Sequence, residues 1–190
     1  MRSPALALLL CAPLAACQPP AADDYLERGF VEEEVPAASA PIASPDTADA
    51  VWAPSKESER LLYGVPGQTP LLAVQCLRDE DAPAQLQFTR FVRADREAQA
   101  MLSLVGNFHE ERLPVDAIDN GRAWVWQGSV AADSPNLAAL TGRREAEATI
   151  PGAGSVVLKP SPLLRELVDG CAVSATPDEA LPEESPSPDQ

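Results

Sequence analysis

One histidine, three tryptophans and scattered carboxylates are the residues of this chain whose types could do chemistry. His109 stands in Asn107-Phe108-His109-Glu110-Glu111. That stretch has neither the His-Glu-x-x-His spacing of a zinc helix nor a second histidine, so a metal site there would need carboxylates from elsewhere. A surface-loop histidine is the expectation. Ser129 and Ser155 each follow a glycine but lack the Gly-x-Ser-x-Gly elbow, and a triad on either would have to recruit the same His109. Two carboxylate pairs, Asp116 with Asp119 and Glu110 with Glu111, could divide acid and base work only if both members reached one cleft; solvated charges at turns are the commoner outcome. Pro151-Gly152-Ala153-Gly154-Ser155 lacks Gly-Lys-Ser/Thr and reads as a turn, not a phosphate loop. No catalytic residue, metal ligand or cofactor is assigned on these patterns. Trp124 and Trp126 share one face of a strand. They are candidate contacts for a ligand or partner, although core packing is the usual fate of tryptophan.

The elements that would position these residues are short and mostly extended. Residues 71–77 are apolar on both faces, and residues 86–93 alternate Leu86, Phe88, Arg90 and Val92 with polar neighbours, which predicts two strands joined by a polar loop. Residues 96–100 predict a short helical turn, residues 101–105 a strand, and Gly106-Asn107 its turn. Residues 113–118 alternate again, and Pro114 within them points to a sheet edge. Asp119-Asn120-Gly121 predicts a tight type I′ hairpin leading to the tryptophan strand. Residues 145–150 and 155–159 flank the Pro151 turn as a further hairpin. Two short helices are expected. The first is capped by Asp133 or Ser134 and stopped by Gly142; the second is capped by Ser161, opened by Pro162 and stopped by Gly170. About seven or eight short strands and two short helices make a mainly β fold, an antiparallel sheet or sandwich.

Charge divides the chain. It carries 29 acidic residues against 14 basic, a net charge of −15, but the excess lies at the ends. Residues 18–50 hold eight acidic residues against Arg28 alone, with five prolines; residues 174–190 hold five acidic residues and none basic. Both segments are expected to be disordered, because they can bury too little apolar surface to offset their ordering entropy. The stretch 51–173 is the single folded domain, with a net charge of −4. An acidic balance argues against nucleic acid as a partner, since that requires a basic footprint.

At the N-terminus, Arg2 precedes an apolar run over residues 4–10, and the stretch closes on Leu14-Ala15-Ala16-Cys17. The run is too short to span a bilayer, which takes about 20 apolar residues, so residues 1–16 read as a signal peptide. Leu14-Ala15-Ala16-Cys17 resembles the lipobox of bacterial lipoproteins. The resemblance implies that Cys17 is lipidated and becomes the first mature residue, anchored in a bilayer by its acyl chains. It also implies sorting through the next residue. Gln18, in place of an aspartate, favours the outer membrane and a periplasm-facing domain, with the inner membrane's outer leaflet or the cell surface as alternatives. With Cys11 removed and Cys17 acylated, Cys76 and Cys171 remain as a pair in a disulfide-permissive compartment, bonded to each other. No Cys-x-x-Cys spacing suggests redox catalysis.

The order of parts over residues 71–171 resembles small exported domains of the type VI secretion-associated VasI-like and invasion-associated locus B-like kinds. Shared are a cysteine closing an early strand, a tryptophan strand, a capped Leu-rich helix, a Gly turn and a last helix meeting the second cysteine. The resemblance implies an accessory role in the envelope, with another envelope protein as partner and no catalytic residue to transfer. The expectation is thus a non-enzymatic interaction module tethered by residues 18–50, which as a flexible chain would span roughly 30 Å. The alternative is a wall-directed hydrolase or carbohydrate-binding protein that uses core carboxylates and tryptophans.

Overall fold

A computed structural model of the chain describes residues 39–173 apart from Ser58 and Glu80. The signal segment 1–16, Cys17, residues 18–38 and the tail 174–190 lie outside the described residues.

The described residues form nine strands, most of them with buried residues at alternate positions: β1 (Val51–Pro54), β2 (Arg60–Gly64), β3 (Leu72–Asp79), β4 (Ala82–Arg90), β5 (Gln99–Gly106), β6 (His109–Asp119), β7 (Trp124–Ala131), β8 (Ala146–Ile150) and β9 (Gly154–Leu158). They form one sheet in the order β1-β2-β3-β4-β7-β6-β5-β8-β9, each neighbouring pair antiparallel. The fold is therefore mainly β, with nine strands where seven or eight are expected from sequence. The first two are short, and β1 buries only Trp52, so it offers no alternation to read.

Directly opposed residues face the same way. Leu72, Arg90, Trp126 and Ala117 are successive partners across β3, β4, β7 and β6, and all four are buried. All nine strands contribute buried residues to one apolar cluster. That requires the sheet to curl, and side chains of the first two strands tie it to the last. The Tyr63 hydroxyl donates to the Val157 carbonyl at 2.9 Å and Trp52 Nε1 to the Lys159 carbonyl at 2.9 Å, with the two rings 4.8 Å apart. Burial holds the Tyr63 phenol above its ordinary pKa, which keeps this donor protonated.

Residues 39–50, expected to be part of the tether, instead lie along the sheet as an ordered strap. The Ile42 amide donates to the Gly152 carbonyl, the Ser155 amide to Ser44 Oγ, and Lys159 Nζ reaches the Ala48 carbonyl. The strap supplies partners to the outer edge of β9, one of the ways an open edge is kept from pairing with other chains. A low apolar content hides such a segment from sequence reading, because it is held by single hydrogen bonds to distant residues rather than by a periodic apolar face.

Three further expectations are corrected. Pro114 does not mark a sheet edge, since β6 lies between β5 and β7. The β6–β7 ladder spans only Asp116 to Asp119, so Pro114 falls where β6 pairs with β5 alone and its missing N–H interrupts nothing on the β7 side. There the two strands approach closely: a Cβ on Gly128 of β7 would sit 2.1 Å from the Pro114 carbonyl oxygen. The Asn120-Gly121 connection is a hairpin but not a two-residue type I′ turn. Only Gly121 has positive φ, and the Asn120 side chain accepts from the Arg122 and Ala123 amides at 3.0 Å each, supporting a longer loop. The two-residue turn with both φ positive is Asn107-Phe108, between β5 and β6. Residues 96–100 hold no helix: a single turn, with Glu97 at positive φ, leads into β5 at Gln99.

The helical parts lie where expected but with other boundaries. Ser134 does not cap its helix, because its hydroxyl is bonded to Glu111, and the segment is a 3-10 turn (Pro135–Leu137) running into the single turn α1 (Ala138–Thr141). The second helix, α2 (Pro162–Val173), continues through Gly170. Leu164, Val168 and Cys171 are buried at helical spacing, and Cys171 is bonded to Cys76 of β3 with 5.7 Å between Cα atoms. The last turn is therefore held by packing and by the crosslink, which outweighs glycine's weak preference against a helix. Both helices pack at the end of the sheet that holds the β5–β6 turn, where Asn107 Nδ2 donates to the Ala139 carbonyl at 2.9 Å and Arg165 Nε to the Thr141 carbonyl at 2.7 Å.

Candidate functional site

Each candidate residue has a definite place in this frame. Glu110 and Glu111 are consecutive on β6 and so project to opposite faces. Glu110 lies on the exposed face, where Arg112 Nε donates to it at 2.6 Å and the neighbouring guanidinium holds its carboxyl below the usual range. Glu111 is buried, accepting from the Ser134 hydroxyl and, at 3.0 Å, from the Arg112 amide. Asp116 accepts from Gln99 Nε2 at 2.9 Å, while Asp119, three positions along the strand and hence on the other face, accepts from the Gly121 amide at 2.8 Å. Neither pair converges on one cleft. The Ser129 hydroxyl donates to Gln85 and the Ser155 hydroxyl is shared with Thr149, so neither is paired with His109. His109 itself is exposed, its Nδ1 2.8 Å from the Asn107 carbonyl. Among the described residues no three His, Cys, Asp or Glu side chains are grouped as metal ligands.

Two clefts are lined in part by further polar groups. One, of about 430 Å³, lies between the β1–β2 connection and α2, with Glu57, Glu59, Arg60, Arg78 and Glu166 in its lining. Its charges are largely spent on one another: Arg60 pairs with Glu57, and Arg78 donates to both oxygens of Glu59, lowering that carboxyl's pKa.

The other cleft, of about 480 Å³, opens at the end of the sheet away from the helices. It is lined by the strap at Ser39 and Ile42, by Arg93 and Asp95, by Trp126, and by the Pro151-Gly152-Ala153 turn. The strand order brings these residues together. The β4–β5 and β8–β9 connections both turn at this end, and β7 begins here with Trp124. Among the described residues Asp95 is the sole carboxylate of the lining and it is engaged, accepting from the Ser39 amide at 2.9 Å and from the Ser39 hydroxyl, contacts that hold its carboxyl below the usual range. Arg93 donates to the same hydroxyl at 2.9 Å.

Trp126 is 8% exposed and packs in the core as well as lining the cleft, so core packing and contact with the cleft coincide in one residue. Trp124 is half-buried, with the Arg96 guanidinium 5.7 Å over its ring. Trp52 is a core residue that ties β1 to the chain beyond β9.

Arg90, which reads from sequence as an ordinary member of an alternating strand, is the unexpected part of this region. It is 3% exposed, and burial pushes its guanidinium down to about 10. Nη1 donates to the Leu71 carbonyl at 2.9 Å, but Nε has no partner among the described residues. The same is true of Nε1 of Trp126, its directly opposed neighbour on β7. A signal was present: Leu86, Phe88 and Arg90 occupy one phase of the alternation, which places the arginine on the inward face.

Compared with protein-family models, with curated proteins and with solved structures, the chain matches none of them.

Proposed function

We propose that the chain is the precursor of an exported, lipid-anchored envelope protein whose folded unit binds a partner at the Trp126 end of the curled sheet. The observation that carries this reading is the segment Leu14-Ala15-Ala16-Cys17, which closes an apolar run behind a single arginine. The buried Cys76–Cys171 bond supports export, because a structural crosslink of this kind persists in oxidising compartments.

The geometry also bears on where a partner would dock. Cys17 precedes Ser39 by only 22 positions, and Ser39 lines the cleft, so the anchored end of the chain joins the folded unit beside Trp126 and Arg93. A binding face there is held at a fixed chain distance from the bilayer. An outer-membrane location, taken from Gln18, and an accessory role, as in the exported domains that the chain resembles, belong to the same proposal. The wall-hydrolase alternative is the weaker one, since each of its carboxylate pairs is split between opposite faces.

The test is site-directed photo-crosslinking in cells. A crosslinking residue is placed at Ile42 or Arg93, both exposed, in the full chain and in a Cys17→Ser variant. A discrete envelope crosslink formed by the lipidated chain and lost from the variant supports the reading. Absence of any crosslink at either position from the lipidated chain contradicts it.

A further inference from the structure

Arg90 presents a buried cation without a counter-charge. No carboxylate among the described residues forms an ion pair with it, and its one hydrogen bond, to the Leu71 carbonyl, leaves Nε unused. Burying an uncompensated charge costs several kcal/mol, and a buried polar group left unpaired calls for an ordered water, an ion or a ligand. The second orphaned donor, Trp126 Nε1, belongs to the residue opposed to Arg90 in the β4–β7 register. Two unpaired N–H donors on neighbouring inward-facing residues therefore ask for one acceptor-rich, negatively charged group. Trp126 also lines the 480 Å³ cleft, whose remaining lining is largely apolar, from Ala40, Ile42, Ala98, Pro151 and Ala153. The Asp95 carboxylate in that lining is already bonded to Ser39, so the free polar capacity of this end of the sheet is for an acceptor.

We propose that this end of the sheet binds a small organic carboxylate with an aliphatic or aromatic body, its oxygens accepting from Arg90 Nε and Trp126 Nε1 and its body occupying the cleft. A planar carboxylate suits the planar guanidinium better than a spherical anion does, and mouths of curled sheets are common places for such ligands. Both nitrogens are buried, and of the two residues it is Trp126 that lines the cleft. The proposal deepens the binding reading above by giving the Trp126 cleft a ligand chemistry.

The experiment follows the tryptophan indole 15N–1H resonances of the full-length mature protein during titration with benzoate, octanoate and the neutral analogue benzamide. A short peptide with a free C-terminus is tested alongside, to distinguish a chain end from a free acid. The resonance assigned to Trp126 by its loss in Trp126→Phe should shift saturably with the acids or the peptide. That of Trp52, whose indole is bonded to Lys159, should not move. Arg90→Met should weaken carboxylate binding roughly ten- to a hundredfold, the range for one hydrogen bond to a charged group. If Arg90→Met does not fold, calorimetry on Trp126→Phe, which keeps a ring in place, decides in its stead, with the same direction expected. An unmoved Trp126 resonance, an equal response to benzamide, or undiminished affinity in the folded variant overturns the proposal and leaves an ordered water as the partner of both donors. Crosslinks at Ile42 or Arg93 would survive that outcome, so failure of the carboxylate site is distinguishable from failure of the binding reading.

Discussion

Replacing Cys76 and Cys171 together by alanine removes the one covalent tie between α2 and the sheet. The bridge joins positions 95 apart in sequence. For a closed loop of about that length, the chain-entropy relation gives a loss of about 4.7 kcal/mol at 25 °C when the unfolded chain is released. The native state should survive, because Leu164 and Val168 remain buried against the sheet whether or not the crosslink is present. The two lost sulfur atoms leave small voids, adding on the order of 1 kcal/mol. At about 3–4 °C per kcal/mol for a domain of this size, the midpoint of thermal unfolding should fall by roughly 17–23 °C. Urea denaturation is the assay of choice, because it separates the two effects. The midpoint should drop and the m-value should rise, since the uncrosslinked unfolded chain exposes more surface. Reducing the wild-type protein should reproduce most of the change without the voids. A loss below about 1 kcal/mol with unchanged m would refute the reasoning, as it would mean that the bridge neither restricts the unfolded chain nor holds the helix.

Gly128→Ala should cost at least about 3 kcal/mol, because the new methyl would meet the Pro114 carbonyl at 2.1 Å and the Val115 side chain at 2.9 Å, with backbone on one side unable to yield; chemical denaturation measures it, and a change below about 1 kcal/mol contradicts the close approach of β6 and β7. Trp52→Phe keeps an aromatic ring against Tyr63 but orphans the Lys159 carbonyl, so a loss of about 1–2 kcal/mol is expected, together with faster amide exchange in β9, and unchanged exchange would contradict the tie between the first and last strands. The Asp95 carboxyl is held below the usual range by Ser39, so its contribution to strap docking is complete above the ordinary carboxyl pKa and is lost as pH falls through the lowered folded value. Amide exchange at Ile42, whose N–H is bonded to Gly152, should speed up over that acidic window and should already be fast at neutral pH in Asp95→Asn; a strap whose protection ignores both changes would contradict this account.

Much of the sheet is legible in the sequence because its signals are local. The alternation of Leu86, Phe88 and Arg90, the apolar run leading to Cys76, the Pro151 turn and Pro162 at the start of α2 each depend on a few neighbouring residues. What escaped depends on contacts distant in sequence. Pro114 is admitted to the interior of the sheet because the β7 ladder stops two residues away, which no reading of β6 alone reveals. Ser134 has the residue type of a cap, yet its hydroxyl is drawn off by Glu111 across 23 positions. The strap at residues 39–50 is acidic and proline-bearing like the stretch of sequence before it, and what holds it, the Ile42 amide on the Gly152 carbonyl and the Ser155 amide on Ser44 Oγ, joins residues more than 100 positions apart. The candidate site is less legible still. Trp126 could be singled out by type, but Arg90 becomes notable only when its neighbours are seen to leave it a hydrogen bond short.

The anchor is the claim on which the functional account rests, and mass spectrometry of the N-terminal peptide from protein purified out of the cell envelope tests it most directly. The account predicts a mature chain that begins at Cys17 and carries diacylglycerol on its sulfur, with the label and the membrane association both lost in Cys17→Ser. A chain that retains residues 1–16, or one that is cleaved elsewhere with an unmodified Cys17 thiol, would contradict it.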